Sequence, residues 1–443
     1  MLTKQDRKIM DEVIKKIITL AIPGLYLWMM KSGIGTAFIK LNVFFGAYVT
    51  GLIVIFLGLA AYYLSEVFID SLLLQYYQKR LQSESAEKLI DEIDKLPISL
   101  PLKIQLKWSI LHHPIHKGIN LRKIPRCGFI LITIFTALFS LTGYLGLFNQ
   151  IFELTSHLKF QYFIISCCTL FFWIITRKKI LALVSLCCIL LNLLAIVPWY
   201  LQSSQIMAGD EVNKIRILQL NLFTNNQQYN RAIALVNKEN PDVAVFLEVS
   251  KKWDEKLKVL RQSYPYVFQS QDKHRRFGKS IYSKIPLKNS NKIITARYQK
   301  SKTRKSLVTQ LKVPGKPISL VVTHPAIPTK RANFKLRNQE LELLADYVSK
   351  LESPIIVVGD FNTSIWSPYY HQFVHKTGLI NGRRGFGIQP SWPTDFPLFY
   401  IPIDHCLVSP EIQVLNSHIG ENVGSDHLPL ITDVAIYQKA ESS

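Results

Sequence analysis

The chain has 443 residues, a formal charge of +22 and 48% hydrophobic side chains, and its mean hydropathy is positive. This length argues against one ordinary domain, and the apolar mass argues against a wholly soluble protein. The basic excess calls for polyanionic surroundings, either a phosphate-bearing substrate or an anionic membrane surface, and does not choose between them.

In chain order, the apolar residues concentrate before about Leu201. Runs at 42–64, 127–149, 160–176 and 180–201 approach the roughly 20 residues that a helix needs to cross a bilayer. An earlier run, 17–30, is shorter and carries Pro23 and Gly24, which suits half of a tight hairpin or an interfacial segment. No cleavable signal peptide is expected, because residues 1–16 mix both charge signs and no small-residue cleavage site follows a clean apolar core. Within 65–126, QKRLQSESAEKLIDEIDKLP has apolar residues three and four apart and predicts a small amphipathic connector.

Arg122, Lys123 and Arg126 precede the second long run, and Arg177, Lys178 and Lys179 separate the third from the fourth. Basic loops stay inside, so the last helix is expected to run outward and carry the remainder of the chain to the extracytoplasmic side of a plasma or inner membrane. That orientation depends on the third run spanning. Of six cysteines only Cys406 lies beyond the apolar half, so no internal disulfide framework is expected there.

From Lys214 the pattern changes. IRILQLNLF and DVAVFLEV read as buried strands around the helical YNRAIALVNKEN. Short strands with Gly and Pro punctuation then recur to the end, with a helix at about 332–351. The pattern predicts a mixed domain with more strands than helices.

Ligand-capable residues interrupt these strands at Asn221, Glu248, His324, Asp360 with Asn362, Asp404-His405 and Ser425-Asp426-His427. Each alone has an ordinary structural explanation: a strand cap, a surface ion pair, a hydrogen-bonded histidine. Together they supply what a hard divalent cation wants, oxygen ligands with room for substrate phosphate. They also supply a base, an imidazole with an orienting carboxylate, and donors for charge developing on phosphorus oxygens.

The ordered set N, LE, TH, GDFN, IDH and GSDHLP resembles the endonuclease/exonuclease/phosphatase, or DNase I-like, superfamily over about 214–438. The resemblance implies an α+β class, with a four-layer α/β/β/α sandwich behind an all-α transmembrane region. It implies Mg²⁺ or Mn²⁺ held by Glu248 with Asn221 and Asp426, and His427 as the catalytic histidine oriented by Asp404. Asp360 then positions the nucleophilic water, Asn362 holds the scissile phosphate, and His324 matches the second histidine of the nuclease and sphingomyelinase-like branches. Arg337 and Trp366 are expected at the substrate. Leu247 stands where many relatives have Gln, and no arginine matches the one that often follows the glutamate; Lys251 and Lys252 are merely nearby. The SWPTDFPLFYIPIDH stretch resembles the bacterial membrane-anchored branch.

The expected organisation is 1–64 hydrophobic membrane segments, 65–126 connector, 127–201 three-helix transmembrane region, 202–213 linker and 214–438 catalytic domain. Basic runs at 273–279, 297–305 and 330–337 attract phosphates without sequence preference or face anionic headgroups. Two substrate classes therefore stand, nucleic acid and phospholipid, with membrane lipid as surroundings and no protein partner inferred. A non-catalytic binding or signalling protein is the competing class, and it predicts a decayed ligand set.

Overall fold

The computed structural model describes residues 85–95, 103, 106–107, 126–201, 210–270, 278–297, 303–352 and 354–438. The runs 17–30 and 42–64, most of the linker, residues 273–277 and the centre of the 297–305 run lie outside the described residues.

The connector contains helix α1 (Ala86–Lys95), whose Leu89 and Ile93, one turn apart, are its buried face. Four apolar helices come next: α2 (Arg126–Thr142), α3 (Gln150–Ser156), α4 (Lys159–Ile175) and α5 (Lys179–Ile196). The run expected as one helix over 127–149 ends earlier. A 3₁₀ turn at Gly143–Leu145 closes it, and Asn149 caps α3 by accepting from the Ile151 N–H at 2.8 Å. Two stretches, Gly128–Leu145 and Lys179–Trp199, are long and apolar enough to cross a membrane, and a third is added if α3 and α4, bent by 69°, count as one. Glu153, Ser156, His157 and Lys159 are buried around this bend.

The rest of the chain forms two six-stranded mixed sheets. The first comprises β1 (Asp210–Asn221), β2 (Val243–Val249), β3 (Tyr266–Ser270), β4 (Gly278–Ser283), β11 (Ile412–Ile419) and β12 (Leu430–Gln438), in the order β11-β12-β1-β2-β4-β3. The second comprises β5 (Leu287–Arg297), β6 (Thr303–Leu311), β7 (Ile318–Thr323), β8 (Ile355–Asp360), β9 (Ile380–Asn381) and β10 (Asp404–Val408), in the order β5-β6-β7-β8-β10-β9. Parallel β1·β2 and β7·β8 pairs sit near the centre of each sheet, with antiparallel neighbours outside.

Strand side chains alternate between faces. Ile215 and Ile217, Val243 and Val245, Leu320 and Val322, and Ile356 and Val358 thus point into one core between the sheets. On the outer face of the first sheet, Leu218, Ala244 and Phe246 pack against helices α6 (Tyr229–Glu239) and α7 (Lys251–Leu257). Outside the second sheet, Val321, Val357 and Leu407 pack against α8 (Arg331–Val348) and α9 (Pro368–Thr377). This is the four-layer α/β/β/α sandwich that the resemblance implies. Ile196 of α5 joins that second flank, and the apolar helices therefore dock on this side.

Candidate active site

The site is the polar end of the inter-sheet core. On β1 the row Ile215, Ile217 continues, two residues at a time, into Gln219 and Asn221. On β8 it runs from Ile356 and Val358 into Asp360, and the row of β7 continues past Val322 to His324. Strand β10 runs the other way, so its first residue, Asp404, pairs with Asp360 at the same edge.

Glu248 reaches this edge by a different device. Its parity on β2 assigns it to the outer face, but the β2·β4 register slips between Leu247 and Val249. Glu248 is the extra residue of that bulge, at φ +57°, and a bulge re-aims its side chain. Asn362 and Phe223 also occupy the left-handed region, at +50° and +56°, a conformation that asparagine tolerates readily and phenylalanine adopts only when its surroundings hold it there. Gly359 answers a closer constraint, since a Cβ there would lie 2.0 Å from the Thr323 carbonyl oxygen of the neighbouring strand.

The side chains converge. Asn221 Nδ2 lies 3.1 Å from Asp360 Oδ2, 3.3 Å from Glu248 Oε1 and 3.4 Å from His427 Nε2. His427 Nδ1 lies 2.8 Å from Asp404 Oδ2, and Gln219 donates to the other Asp404 oxygen at 2.7 Å. His324 Nε2 is 3.4 Å from Asp360 Oδ2 and 3.9 Å from Glu248 Oε1. Asn362 is fixed on three sides: its N–H donates to Asp360 Oδ1, its Nδ2 to the Pro325 carbonyl, and its carbonyl accepts from Arg337.

Burial disfavours a charged His427, but the Asp404 and Asp360 carboxylates override it and raise its pKa to about 10. Asp404 is buried too, yet the imidazolium and the donors from Ser391 and Gln219 hold it well below the usual carboxylate range. The surrounding carboxylates thus favour the protonated imidazole, with Nε2 facing Asp360 at 3.7 Å.

The donor set fits a hard cation. The Glu248 and Asp360 oxygens converge on the Asn221 amide, and the buried His324 Nε2 beside them has no hydrogen-bond partner. Ligand-capable atoms of Asp360, Asp404 and His427 also lie within 4.8 Å of one another. There, however, the His427 Nδ1 and both Asp404 oxygens are already engaged in the imidazole relay. Both Glu248 oxygens are engaged as well, but only by neutral donors at 3.2–3.3 Å, longer than the 2.7 and 2.8 Å contacts of Asp404, so the Glu248 side is the freer cradle.

Not every expected residue reaches this edge. Arg337 is fully buried, 0% exposed, with its guanidinium turned to Glu153 and the Asn362 carbonyl and not to the edge where Glu248, Asp360 and His427 meet. Trp366, 6% exposed, donates its indole N–H to the Ala195 carbonyl of α5. Asp426 is half-buried next to His427, where its charge helps to raise that imidazole's pKa.

Other site residues escaped the sequence reading. Gln219 carries a signal, lying two residues before Asn221 on the same strand face. Thr224, whose N–H and hydroxyl lie 3.2 and 3.3 Å from Glu248 Oε2, carries none. Ser425 donates to the Asn221 carbonyl at 2.6 Å and accepts from the His427 N–H, while Ser391 Oγ accepts from the Asp404 N–H.

The model of the Endonuclease/Exonuclease/phosphatase family matches residues 218–427, the stretch from β1 to His427. The match covers most of the two-sheet domain and leaves the apolar helices before it outside. Endonuclease/exonuclease/phosphatase proteins are generally metal-dependent hydrolases, typically using a divalent ion. Solved structures similar to the chain include an endonuclease/exonuclease/phosphatase from Bacteroides vulgatus, at 18% identity and TM-score 0.43 over 51% of this chain and 99% of that one. One from Beutenbergia cavernae has 17% identity and TM-score 0.41 over 51% and 72%. D. rerio TDP2 complexed with single strand DNA product has 17% identity and TM-score 0.41 over 50% and 99%. No curated protein matches the chain.

Proposed function

We propose that the chain is a membrane-tethered phosphodiesterase that uses Mg²⁺ or Mn²⁺. The observation that carries this reading is the convergence of Glu248, Asn221, Asp360 and the Asp404–His427 pair at one end of the inter-sheet core. Glu248 would hold the cation, joined by the side-chain carbonyl oxygen of Asn221 once that amide turns it inward, with Asp426 adding negative charge beside His427. When bound, the ion neutralises charge on the substrate phosphate.

Asp360 accepts the proton of the attacking water, which the adjacent His324 helps to hold. His427, protonated and fixed by Asp404, donates to the oxygen that gathers charge as the bond to phosphorus breaks. Asn362 holds a nonbridging phosphate oxygen through its side-chain amide. Arg337 and Trp366 have no place at the substrate.

The tether is supported by the surfaces of α4 and α5, where Phe171, Ile180 and Leu194 are 68%, 79% and 74% exposed. Such faces are stable in lipid and costly in water. The substrate is a phosphodiester within reach of that bilayer, of nucleic acid or of phospholipid.

The test is hydrolysis by the detergent-solubilised full chain with Mn²⁺, Mg²⁺ or chelator, offered a chromogenic phosphodiester, DNA, RNA and phospholipid vesicles. Metal-dependent turnover supports the enzyme, and the preferred substrate assigns the class. A folded protein that binds no metal contradicts the reading.

A further inference from the structure

A buried ionic cluster joins the apolar helices to the loop that carries Asn362. Glu153 on α3 and Arg337 on α8 are both 0% exposed, with Arg337 Nη2 3.2 Å from Glu153 Oε1. That oxygen also accepts from the hydroxyls of Thr363 at 3.1 Å and Ser367 at 2.7 Å. One turn along the chain, His157 lies 3.3 Å from the other Glu153 oxygen and 2.8 Å from Ser364 Oγ. Beyond the Asp360 strand, the segment 362–367 is thus gripped by two side chains that belong to the bend between α3 and α4.

Purely structural attachment does not require this chemistry. Taking a carboxylate and a guanidinium out of water is expensive, and an apolar contact of the same shape is often as stable. The neighbouring attachments are uncharged: Gln161 donates to the Tyr400 carbonyl at 3.0 Å, and Gln150 to the Pro328 carbonyl at 3.1 Å. What the ionic pair adds is direction. Arg337 Nη1 donates at 2.9 Å to the carbonyl of Asn362, a residue held at φ +50°. Asn362 is placed by these contacts and not by a regular strand ladder, and a site loosened by about 1 Å loses much of its rate.

We propose that Glu153, from the membrane-facing half of the chain, is a positioning residue for the phosphodiester site. It anchors Arg337 and the Thr363 and Ser367 hydroxyls so that Asn362 is presented at the correct place. This rests on the function proposed above for Asn362. It also means that the apolar helices complete the site as well as tether it.

The test uses the full chain in detergent and compares Glu153→Gln, Arg337→Met, the double variant and, as a control at an uncharged attachment, Gln161→Ala. Glu153→Gln is expected to lower kcat roughly 10- to 100-fold with KM within about twofold, the range set by misplacing one transition-state contact. The double variant should be no worse than Arg337→Met, because both changes cut the same linkage. Gln161→Ala should retain kcat. Amide hydrogen exchange should quicken across 361–367 in Glu153→Gln while β1 and β2 stay protected. Unchanged kcat and exchange in a folded Glu153→Gln would overturn the proposal, as would equal, domain-wide loosening in Glu153→Gln and Gln161→Ala. A wild-type protein inactive on every phosphodiester sinks the functional reading alone, and the exchange pattern still decides whether Glu153 positions the loop.

Discussion

The two outer faces of the sandwich are closed by different physics. Outside the first sheet, α6 and α7 bury Leu235, Val236, Trp253 and Leu257 against Leu218 and Phe246, an apolar contact at its centre with polar pairs such as Arg216–Glu239 only at its partly exposed edge. Outside the second, α8 and α9 form a similar apolar layer, but the bend of α3 and α4 adds Glu153 and His157 beside Arg337 of α8, all three 0% exposed. Apolar burial is non-directional and scales with area, so the first flank needs only enough area. Buried ions are costly unless well placed, so the second flank fixes geometry, and the geometry that it fixes lies beside Asn362.

The largest expected effect lies at the edge that both sheets share. His427→Ala should lower turnover about 10²- to 10⁴-fold, the usual worth of a positioned proton donor, while hydrogen exchange on both flanks stays as in the wild type. Leu235→Ala on the first flank should cost about 2–5 kcal/mol of stability, as large-to-small core changes do, measured by denaturant unfolding. Turnover per folded molecule should not change; if it falls, the contrast between the flanks is broken.

A smaller effect concerns pH. The folded pKa of His427, about 10, lies above the roughly 6.5 of an unfolded histidine. Its contribution is therefore fully present below about pH 6.5 and is lost as pH rises through about 10. In chelator, the melting temperature of the wild type should fall across that interval, and His427→Asn should flatten the decline. Least of all, Glu421→Ala removes only the exposed pair with Lys238 and should leave the melting temperature unmoved, since such pairs contribute little in water.

Much of the fold was legible because strands leave a period-two record. Ile215, Ile217, Gln219 and Asn221 form one written row that passes from core to site, and the rows ending at His324 and Asp360 do the same. Glu248 was visible as a residue but not as a geometry, because nothing in VFLEV announces the bulge that turns it inward. Arg337, expected at the substrate from the basic run KRANFKLR, is instead buried against a partner that lies far away in the sequence. That partner had a signal of its own. Glu153 and His157 stand four apart beside apolar helices, where ionisable groups are costly and mark function. The bend at α3 and α4 was hidden because apolarity measures length and not direction.

The most direct test of the central claim separates metal binding from catalysis in the full chain. Mn²⁺ affinity and turnover of a chromogenic phosphodiester would be measured for the wild type, Glu248→Gln and His427→Ala. The account predicts that Glu248→Gln loses both metal affinity and turnover, whereas His427→Ala keeps the metal and loses turnover. Full metal affinity in Glu248→Gln, or undiminished hydrolysis in His427→Ala, would contradict it.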